Sequence, residues 1–254
     1  MINELFHAVF DASALALLGS AVGLATLTYA LALGGLSYFH RRTARVVDSV
    51  PVATFMTGVA TVWALSVGFV AADVWTVWER AGAAAVHERS ALTELVAFTS
   101  PAALNDTPLR EALSAYERAV RADEWGAHGS RTPAPDVVNA TQKIRVAIIA
   151  IGRSGNPSLM VGQLWKTFDD LQDARDTRLA IGMDKSVGYK WLLVLMLTAM
   201  SQLAIAAVHA DRPAAGVTAL AVYTVAAFLS LWILSLHANP YSGDVAISFP
   251  LLPI

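Results

Sequence analysis

Four long apolar stretches are separated by polar segments along this chain of 254 residues. Each stretch is long enough to cross about 30 Å of hydrocarbon, which takes roughly 20 helical residues. The stretches cover residues 13 to 38, 50 to 72, 189 to 209 and 216 to 236. Only short connections join the first to the second and the third to the fourth, so the pattern predicts two transmembrane hairpins.

The segment between the two hairpins is too polar to face lipid, and its signals are those of helices. Thr107 followed by Pro108 is typical of a cap with proline at the first helical position. Asp136 is placed to cap a second helix. A third helix is predicted from Ser158 and is expected to continue without a break into the third span.

The chain after the fourth span has a different character. Asn239 and Pro240 stop the helix, and apolar residues then alternate at Val245, Ile247 and Phe249. We expect this tail to dock on the soluble helices or on a neighbouring subunit, because its apolar side chains would otherwise be exposed to water. The predicted fold is an all-α integral membrane protein with four parts: an N-terminal transmembrane hairpin (1 to 75), a soluble helical region (76 to 188), a C-terminal transmembrane hairpin (189 to 238) and a short extended tail (239 to 254).

One polar stripe follows the second span and continues beyond it. Its members are spaced by seven residues, so each lies only about 20° around a straight helix from the last: Ser66, Asp73, Arg80, His87 and Glu94. Ionisable residues at membrane depth tend to face a bundle interior or a water-filled path. The stripe is therefore either the wall of a conduit and its vestibule, or a solvated helix face on which Asp73 marks the end of the span and pairs with Arg80.

Thr54, Thr57, Thr61 and Gly68 form a second narrow face on the same span. Small and hydroxyl side chains let helices approach closely and hydrogen-bond across the contact. In the alternative interpretation this face belongs to a pore, with Thr57 and Thr61 as lining residues. Gln202, deep in the third span, is expected to make an interhelical hydrogen bond.

Composition agrees with a membrane protein and removes several kinds of function. Hydrophobic residues make up 56% of the chain and charged residues 15%, with a mean hydropathy of +0.51; an ordinary soluble domain has about 25% charged residues. The formal net charge of -2 argues against nucleic acid as a partner. Cysteine is absent, which excludes disulfides and thiolate chemistry. The six histidines show no metal-binding spacing and the glycines no nucleotide-binding pattern, so we expect neither an enzyme nor a cofactor.

An acidic cluster before the third span is the only further candidate for chemistry. Asp169, Asp170 and Asp173 are weak candidates for a cation site. The alternative is a solvated helix face whose carboxylates pair with Arg175 and Arg178 on the same helix.

The basic residues also indicate a topology. The two hairpin turns contain Arg41, Arg42, Arg45 and Arg212, whereas the termini outside the spans contain no Lys or Arg. By the positive-inside rule the turns are cytoplasmic and the soluble region is extracytoplasmic. Basic residues of the soluble region near span ends favour the opposite orientation. An acid close to the N-terminus, Glu4, argues against a cleaved signal peptide.

The chain resembles the bestrophin-like family of bacterial membrane proteins, which is distantly similar to the bestrophin anion channels. The resemblance lies in the continuation of the second span, in the approach to the third and in the tail: Gly68-Phe69, Trp75, Glu88, Ala91-Leu92, Arg178-Leu179, Asn239-Pro240-Tyr241-Ser242-Gly243, Ile247-Ser248 and Pro250. Gly68, Glu88, Arg178, Pro240 and Gly243 are the positions assigned to family motifs.

The resemblance implies a homo-oligomeric membrane channel whose pore is lined by the second membrane helix. It also implies a cytoplasmic soluble region, against the charge count. We therefore expect an oligomeric ion conduit for small anions such as chloride. The alternative is a non-conducting accessory or scaffold subunit that binds other membrane subunits, which the apolar tail and the small-residue helix faces would suit.

Overall fold

The structure is a computed structural model that describes residues 2 to 43, 53 to 125, 129 to 184 and 187 to 248. The described residues form helices, with no strand among them. The helices are α1 (Ile2–Phe10), α2 (Ala14–Thr43), α3 (Ala53–Phe98), α4 (Thr107–Ala119) with a π-helical turn (Val120–Glu124), α5 (Pro135–Arg153), α6 (Ser158–Gly182), α7 (Val187–Val208) and α8 (Pro213–Ser235).

Four of these helices are long and apolar enough to cross a membrane, which confirms the all-α membrane fold. They cover Ala14–Arg42, Thr54–Phe98, Gly188–Val208 and Pro213–Ser235. The chain divides into two compact units. Unit 1 comprises residues 1 to 75 and 185 to 238, and unit 2 comprises residues 76 to 184 and 239 to 254.

Unit 1 contains α1, α2, the first half of α3, α7 and α8. Its helices are joined by buried apolar clusters and by a few polar contacts between spans. The Gln202 amide donates to the hydroxyl of Thr224 over 2.8 Å and to that of Thr28 over 3.3 Å, which is the interhelical bonding expected for this residue. The Trp63 indole likewise donates to the Thr198 hydroxyl over 2.9 Å. These bonds satisfy polar groups that the bilayer could not solvate.

Unit 2 is a four-helix bundle made from the second half of α3 with α4, α5 and α6. Each helix contributes apolar residues at helical spacing to one buried core, among them Leu92, Leu113, Ile144 and Phe168. Neighbours in the bundle can be read from contacts: Arg110 of α4 donates to Thr99 just after α3. The Arg145 guanidinium of α5 lies over the Phe168 ring of α6.

Three predictions about helix ends were wrong. The cap of α4 is Asp106 rather than Thr107, because the Asp106 carboxylate accepts the Leu109 amide hydrogen over 2.7 Å while Pro108 occupies the first turn. Helix α5 begins at Pro135, with Asp136 inside its first turn and no side-chain cap.

The third wrong prediction was a continuous helix from Ser158 into the third span, since α6 ends at Gly182. Gly182 lies so close to the Ser130 backbone that a Cβ atom would overlap the Ser130 carbonyl group. The last residue of α6, Gly182, therefore packs directly against the loop that precedes α5.

Candidate functional site

The membrane half of α3 presents its polar residues outward from unit 1. Thr57, Thr61 and Gly68 are exposed, and Ser66 is half-buried. The Thr61 hydroxyl donates to the Thr57 carbonyl oxygen over 2.8 Å, so it needs no partner on another helix. Nothing in the protomer lies within 4 Å of a Cβ atom built on Gly68. Both sequence interpretations of this face, helix packing and pore lining, therefore refer to a surface that the protomer itself leaves open.

Asp73 makes an ion pair with Lys190 of α7. The Lys190 ammonium donates to a carboxylate oxygen over 2.7 Å, and the side chains of Lys190 and Asp73 are 34% and 42% exposed, respectively. The predicted pairing of Asp73 with Arg80 was wrong, because Lys190, at the start of the neighbouring span, supplies the cation. The pair is partly wetted, and at such exposure it contributes at most about 1 kcal/mol to stability.

The later members of the stripe, Arg80, His87 and Glu94, are exposed on unit 2. Arg80 forms no ion pair with another residue in the described part of the chain. His87 and Glu94 open on a groove between α3 and α6, of about 370 Å³. We call this surface the acidic groove and define it by His87, Ser90, Glu94, Asp170, Asp173 and Thr177.

The acidic groove contains two of the three aspartates proposed as weak cation ligands. Asp170 and Asp173 line it, whereas Asp169 does not. No group of metal-binding side chains is found among the described residues. The alternative was right in part: the three aspartates lie on a solvated helix face, but they form no ion pair with Arg175 or Arg178, which are buried.

Arg175 and Arg178 belong to a buried charge cluster with Glu88 of α3 and Glu124 of the π-helical turn. The Arg178 guanidinium donates to both oxygens of Glu88, over 2.6 and 3.0 Å, and to Glu124 over 3.0 Å. Arg175 donates through two nitrogens to Glu124. The cluster holds two carboxylates and two guanidinium groups, so its formal charge is zero. Such charges are tolerated in a core only when paired and hydrogen-bonded.

Neutral groups complete the hydrogen bonding of this cluster. The Tyr116 hydroxyl donates to Glu88 over 2.8 Å, and the Ala134 amide donates to Glu124 over 2.9 Å. The Ser130 hydroxyl accepts from Arg178 over 2.9 Å, and the Arg178 guanidinium lies 5.2 Å from the centre of the Trp125 ring. The charges are thus surrounded by donors and acceptors from α3, α4, α6 and the loop before α5.

The cluster shifts the pKa values of Tyr116 and Glu124 in directions that keep each of these two groups in one charge state. Burial raises the pKa of Tyr116 well above its usual value, and the neighbouring Glu88 adds to the rise. Burial alone would raise the pKa of Glu124, but hydrogen bonds from Arg175 and the Ala134 amide outweigh it and lower that pKa. Tyr116 therefore stays neutral and Glu124 stays ionised at physiological pH.

Local backbone features aim these side chains. The π-helical turn closes with the Trp125 amide donating to the Val120 carbonyl over 2.9 Å, and this wider turn carries Glu124. Gly129 and Ser130 both have positive φ angles, 57° and 53°. This left-handed pair turns the loop so that the Ser130 amide donates to the Glu124 carbonyl over 2.8 Å.

The tail packs on the same unit. Asn239 accepts from the Tyr241 amide over 3.0 Å, and the Gly243 φ of 93° lets the chain turn back. The Pro240 carbonyl then accepts the Ile247 amide hydrogen over 2.8 Å. Phe249 and Pro250 lie outside the described residues.

Two aromatic residues hold the tail to the core of unit 2. Tyr241 is fully buried, with its ring centre 5.3 Å from that of Trp125. The Trp125 indole donates to the Ile247 carbonyl over 3.1 Å. Trp125 therefore contacts both the tail and Arg178.

Sequence reasoning assigned Glu88 and Arg178 to family motifs without placing them together, and it did not identify Glu124, Tyr116 or Ser130. One signal was present: a helix whose apolar face is interrupted by Arg175 and Arg178 at a spacing of three needs buried acids elsewhere. The sequence offered no way to choose among the many acids of the soluble region.

The four apolar spans and the helical unit 2 define a multi-pass helical membrane protein. The family model of the Bestrophin-like domain matches residues 26 to 249, which is most of the chain. The chain therefore belongs to the Bestrophin-like domain family, as the sequence motifs indicated. No curated protein and no solved structure matches it.

Proposed function

We propose that copies of this chain assemble into an ion conduit in the bacterial inner membrane, lined by the membrane half of α3. The observation that carries the proposal is that α3 has two outward polar faces in its membrane half, one with Thr57 and Thr61 and the other with the partly exposed Asp73–Lys190 pair. Only 6% of the most apolar 18-residue window of this span is buried in the protomer, the same share as in α2, compared with 50% for the window in α7. A second copy would cover this surface, and polar faces from several copies would enclose a hydrated path.

Charge along α3 supports a preference for small anions. Lys190 neutralises Asp73, so Asp73 does not offset the charge of Arg80. Arg80 is exposed, without an ion pair to another described residue, and is the one stripe member that carries a full positive charge. An unpaired cation at a pore mouth raises the local concentration of anions.

The test is ion flux into liposomes that contain the purified protein, with chloride and potassium gradients compared. Arg80→Ala should reduce the preference for chloride. Arg89→Ala is the matched control, because Arg89 is also exposed and lies nine residues further on the same helix, about half a turn around its axis from Arg80. Equal ratios of chloride to potassium flux for the wild type and Arg80→Ala would remove Arg80 from the path.

The Asp73→Ala/Arg80→Ala variant tests whether α3 lines the path at all. A change in ion flux in this variant would indicate that α3 lines the ion path. Absence of flux from folded wild-type protein would reject the conduit and favour the accessory or scaffold subunit, which should then copurify with other membrane subunits.

We also propose that the soluble helices are extracytoplasmic, on the strength of the arginines in the hairpin turns. Because the chain has no cysteine, a single Ser154→Cys variant gives one labelling site, on the exposed turn after α5. A membrane-impermeant maleimide should label it in intact spheroplasts. Labelling only after lysis would show that the soluble helices are cytoplasmic.

A further inference from the structure

Unit 2 has a second groove, between α4 and α5, whose charge is opposite to that of the acidic groove. We call it the basic groove and define it by Ala115, Arg118, Lys143, Val146, Ala150 and Arg153. Its larger part has a volume of about 620 Å³. Three cations and one carboxylate, Glu111, border it, whereas the acidic groove has three carboxylates, one imidazole and no Lys or Arg.

The basic groove combines an apolar floor with cations that have no ionic partner among the described residues. Alanines form the floor, and Val146 and Ile149 remain 55% and 38% exposed. Arg118, Lys143 and Arg153 make no ion pair with any residue in the described ranges. An exposed apolar strip bordered by unpaired charges is typical of a surface that binds a partner.

The two grooves lie on opposite sides of the four-helix bundle. Helix α3 neighbours α4 through Arg110, and α5 neighbours α6 through Arg145. Gln163 of α6 donates to Glu94 of α3 over 3.3 Å, so α6 is also a neighbour of α3. With the helices in the cyclic order α3, α4, α5, α6, the pair α4/α5 faces away from the pair α3/α6.

We propose that the basic groove of one copy binds the acidic groove of the next. This inference rests on the oligomer part of the proposed function and names its interface. Three cations then face three carboxylates across an apolar centre, which is favourable in charge and steers association. Pairing the basic groove with itself would bring like charges together, so the contact is head-to-tail. Head-to-tail contacts through opposite sides of a subunit form rings when the rotation closes.

This assignment changes the role of two members of the stripe. Glu94 and His87 lie at the boundary between copies, whereas the membrane half of α3 remains free to line the path. Asp170 and Asp173 are then contact residues rather than cation ligands.

Crosslinking tests the head-to-tail geometry directly, because the natural chain has no cysteine. The Ser90→Cys/Ala115→Cys variant places one thiol in each groove. A flexible bismaleimide applied to native membranes should give a ladder that extends beyond the dimer, since each copy has two different partners. The single variants Ser90→Cys and Ala115→Cys are matched controls and should stay monomeric. A ladder that stops at the dimer, a self-crosslinked Ala115→Cys, or no crosslinked product would overturn the inference.

Charge reversal supplies a second measurement. Arg118→Glu/Lys143→Glu and Asp170→Lys/Asp173→Lys should each raise the protomer concentration for half-assembly about tenfold or more, because like charges then face each other. The combined fourfold variant should assemble again, since every interface is complementary once more. Glu79→Lys/Asp136→Lys carries the same change of charge as the aspartate pair, at exposed positions outside both grooves, and should assemble as the wild type does. Assembly that the groove reversals leave unchanged would reject the interface.

The molar mass in detergent, measured by light scattering, separates this inference from the proposed function. A ring that assembles through the grooves but carries no ions would reject the conduit and leave the interface standing. If the wild type conducts ions but the groove variants assemble and crosslink as the wild type does, the interface would be rejected and the conduit would stand. A wild-type protein that is monomeric in native membranes would overturn both.

Discussion

Replacing Arg178 with leucine should strongly destabilise unit 2. The change places an apolar side chain in the core and removes the five N–H donors of the guanidinium. Glu88 then loses both of its hydrogen bonds from Arg178, and Glu124 loses one. Both carboxylates are fully buried; Glu124 keeps its pair with Arg175, whereas Glu88 loses the cation it pairs with in the described part of the chain. Removing one partner of a buried ion pair costs about 3–5 kcal/mol because the remaining charge is uncompensated.

A matched control is available in the same unit. Arg121 pairs with Glu117 one helical turn away, over 2.9 Å, but its side chain is 45% exposed. Exposed pairs at this spacing contribute about 0.3–0.5 kcal/mol. Arg121→Leu therefore removes an arginine and an ion pair of similar length, and it differs from Arg178→Leu chiefly in burial.

Thermal unfolding in detergent, followed by far-UV circular dichroism, measures the difference. For a chain of this size each kcal/mol shifts the Tm by about 2–4 °C. Arg178→Leu should lower the Tm by about 6–20 °C, and Arg121→Leu by about 2 °C or less. Equal shifts for the two variants would mean that the cluster is solvated in solution and would refute the reasoning from burial.

Three further predictions concern the same unit. Tyr241→Phe should leave the Tm unchanged or raise it, because the buried Tyr241 hydroxyl has no hydrogen-bond partner among the described residues; a fall would show that it has one. Gly182→Ala should lower the Tm, since its Cβ would overlap the Ser130 carbonyl, whereas Gly162→Ala, on the same helix but in open space, should raise it slightly; equal effects would contradict the close contact. The pKa of Glu124 is lowered on folding, so its charge contributes stability that is fully present above the ordinary glutamate pKa of about 4.3 and is lost as the pH falls through the lowered value. Glu124→Gln should therefore flatten the fall in Tm on acidification. An unchanged fall in Tm would contradict this prediction.

Apolar length predicted the spans well because it reflects a single physical requirement, the thickness of the bilayer. The lengths of α7 and α8 therefore follow from composition alone. Helix ends were harder, because each depends on one local competition. At the start of α4 we predicted Thr107 as the cap, but the neighbouring Asp106 makes the capping bond.

The buried charge cluster could be anticipated only in part. Glu88 and Arg178 are 90 positions apart in sequence, and local patterns carry no information on such a pairing. The wrong assignment of Arg175 and Arg178 to the aspartates of their own helix shows the reason. Spacing along one helix suggests a partner, but the side of the helix that is buried decides which partner is met.

The position of Tyr241 has a consequence for biogenesis. The ribosome completes Glu88, Glu124, Arg175 and Arg178 well before it reaches Tyr241, and both spans of the second hairpin lie between. The last fully buried side chain in the core of unit 2 is therefore synthesised only after α7 and α8 have been made. The core of unit 2 can therefore be completed only after both spans of the second hairpin have been synthesised. A protease that degrades incompletely packed cores would remove chains whose second hairpin failed to insert.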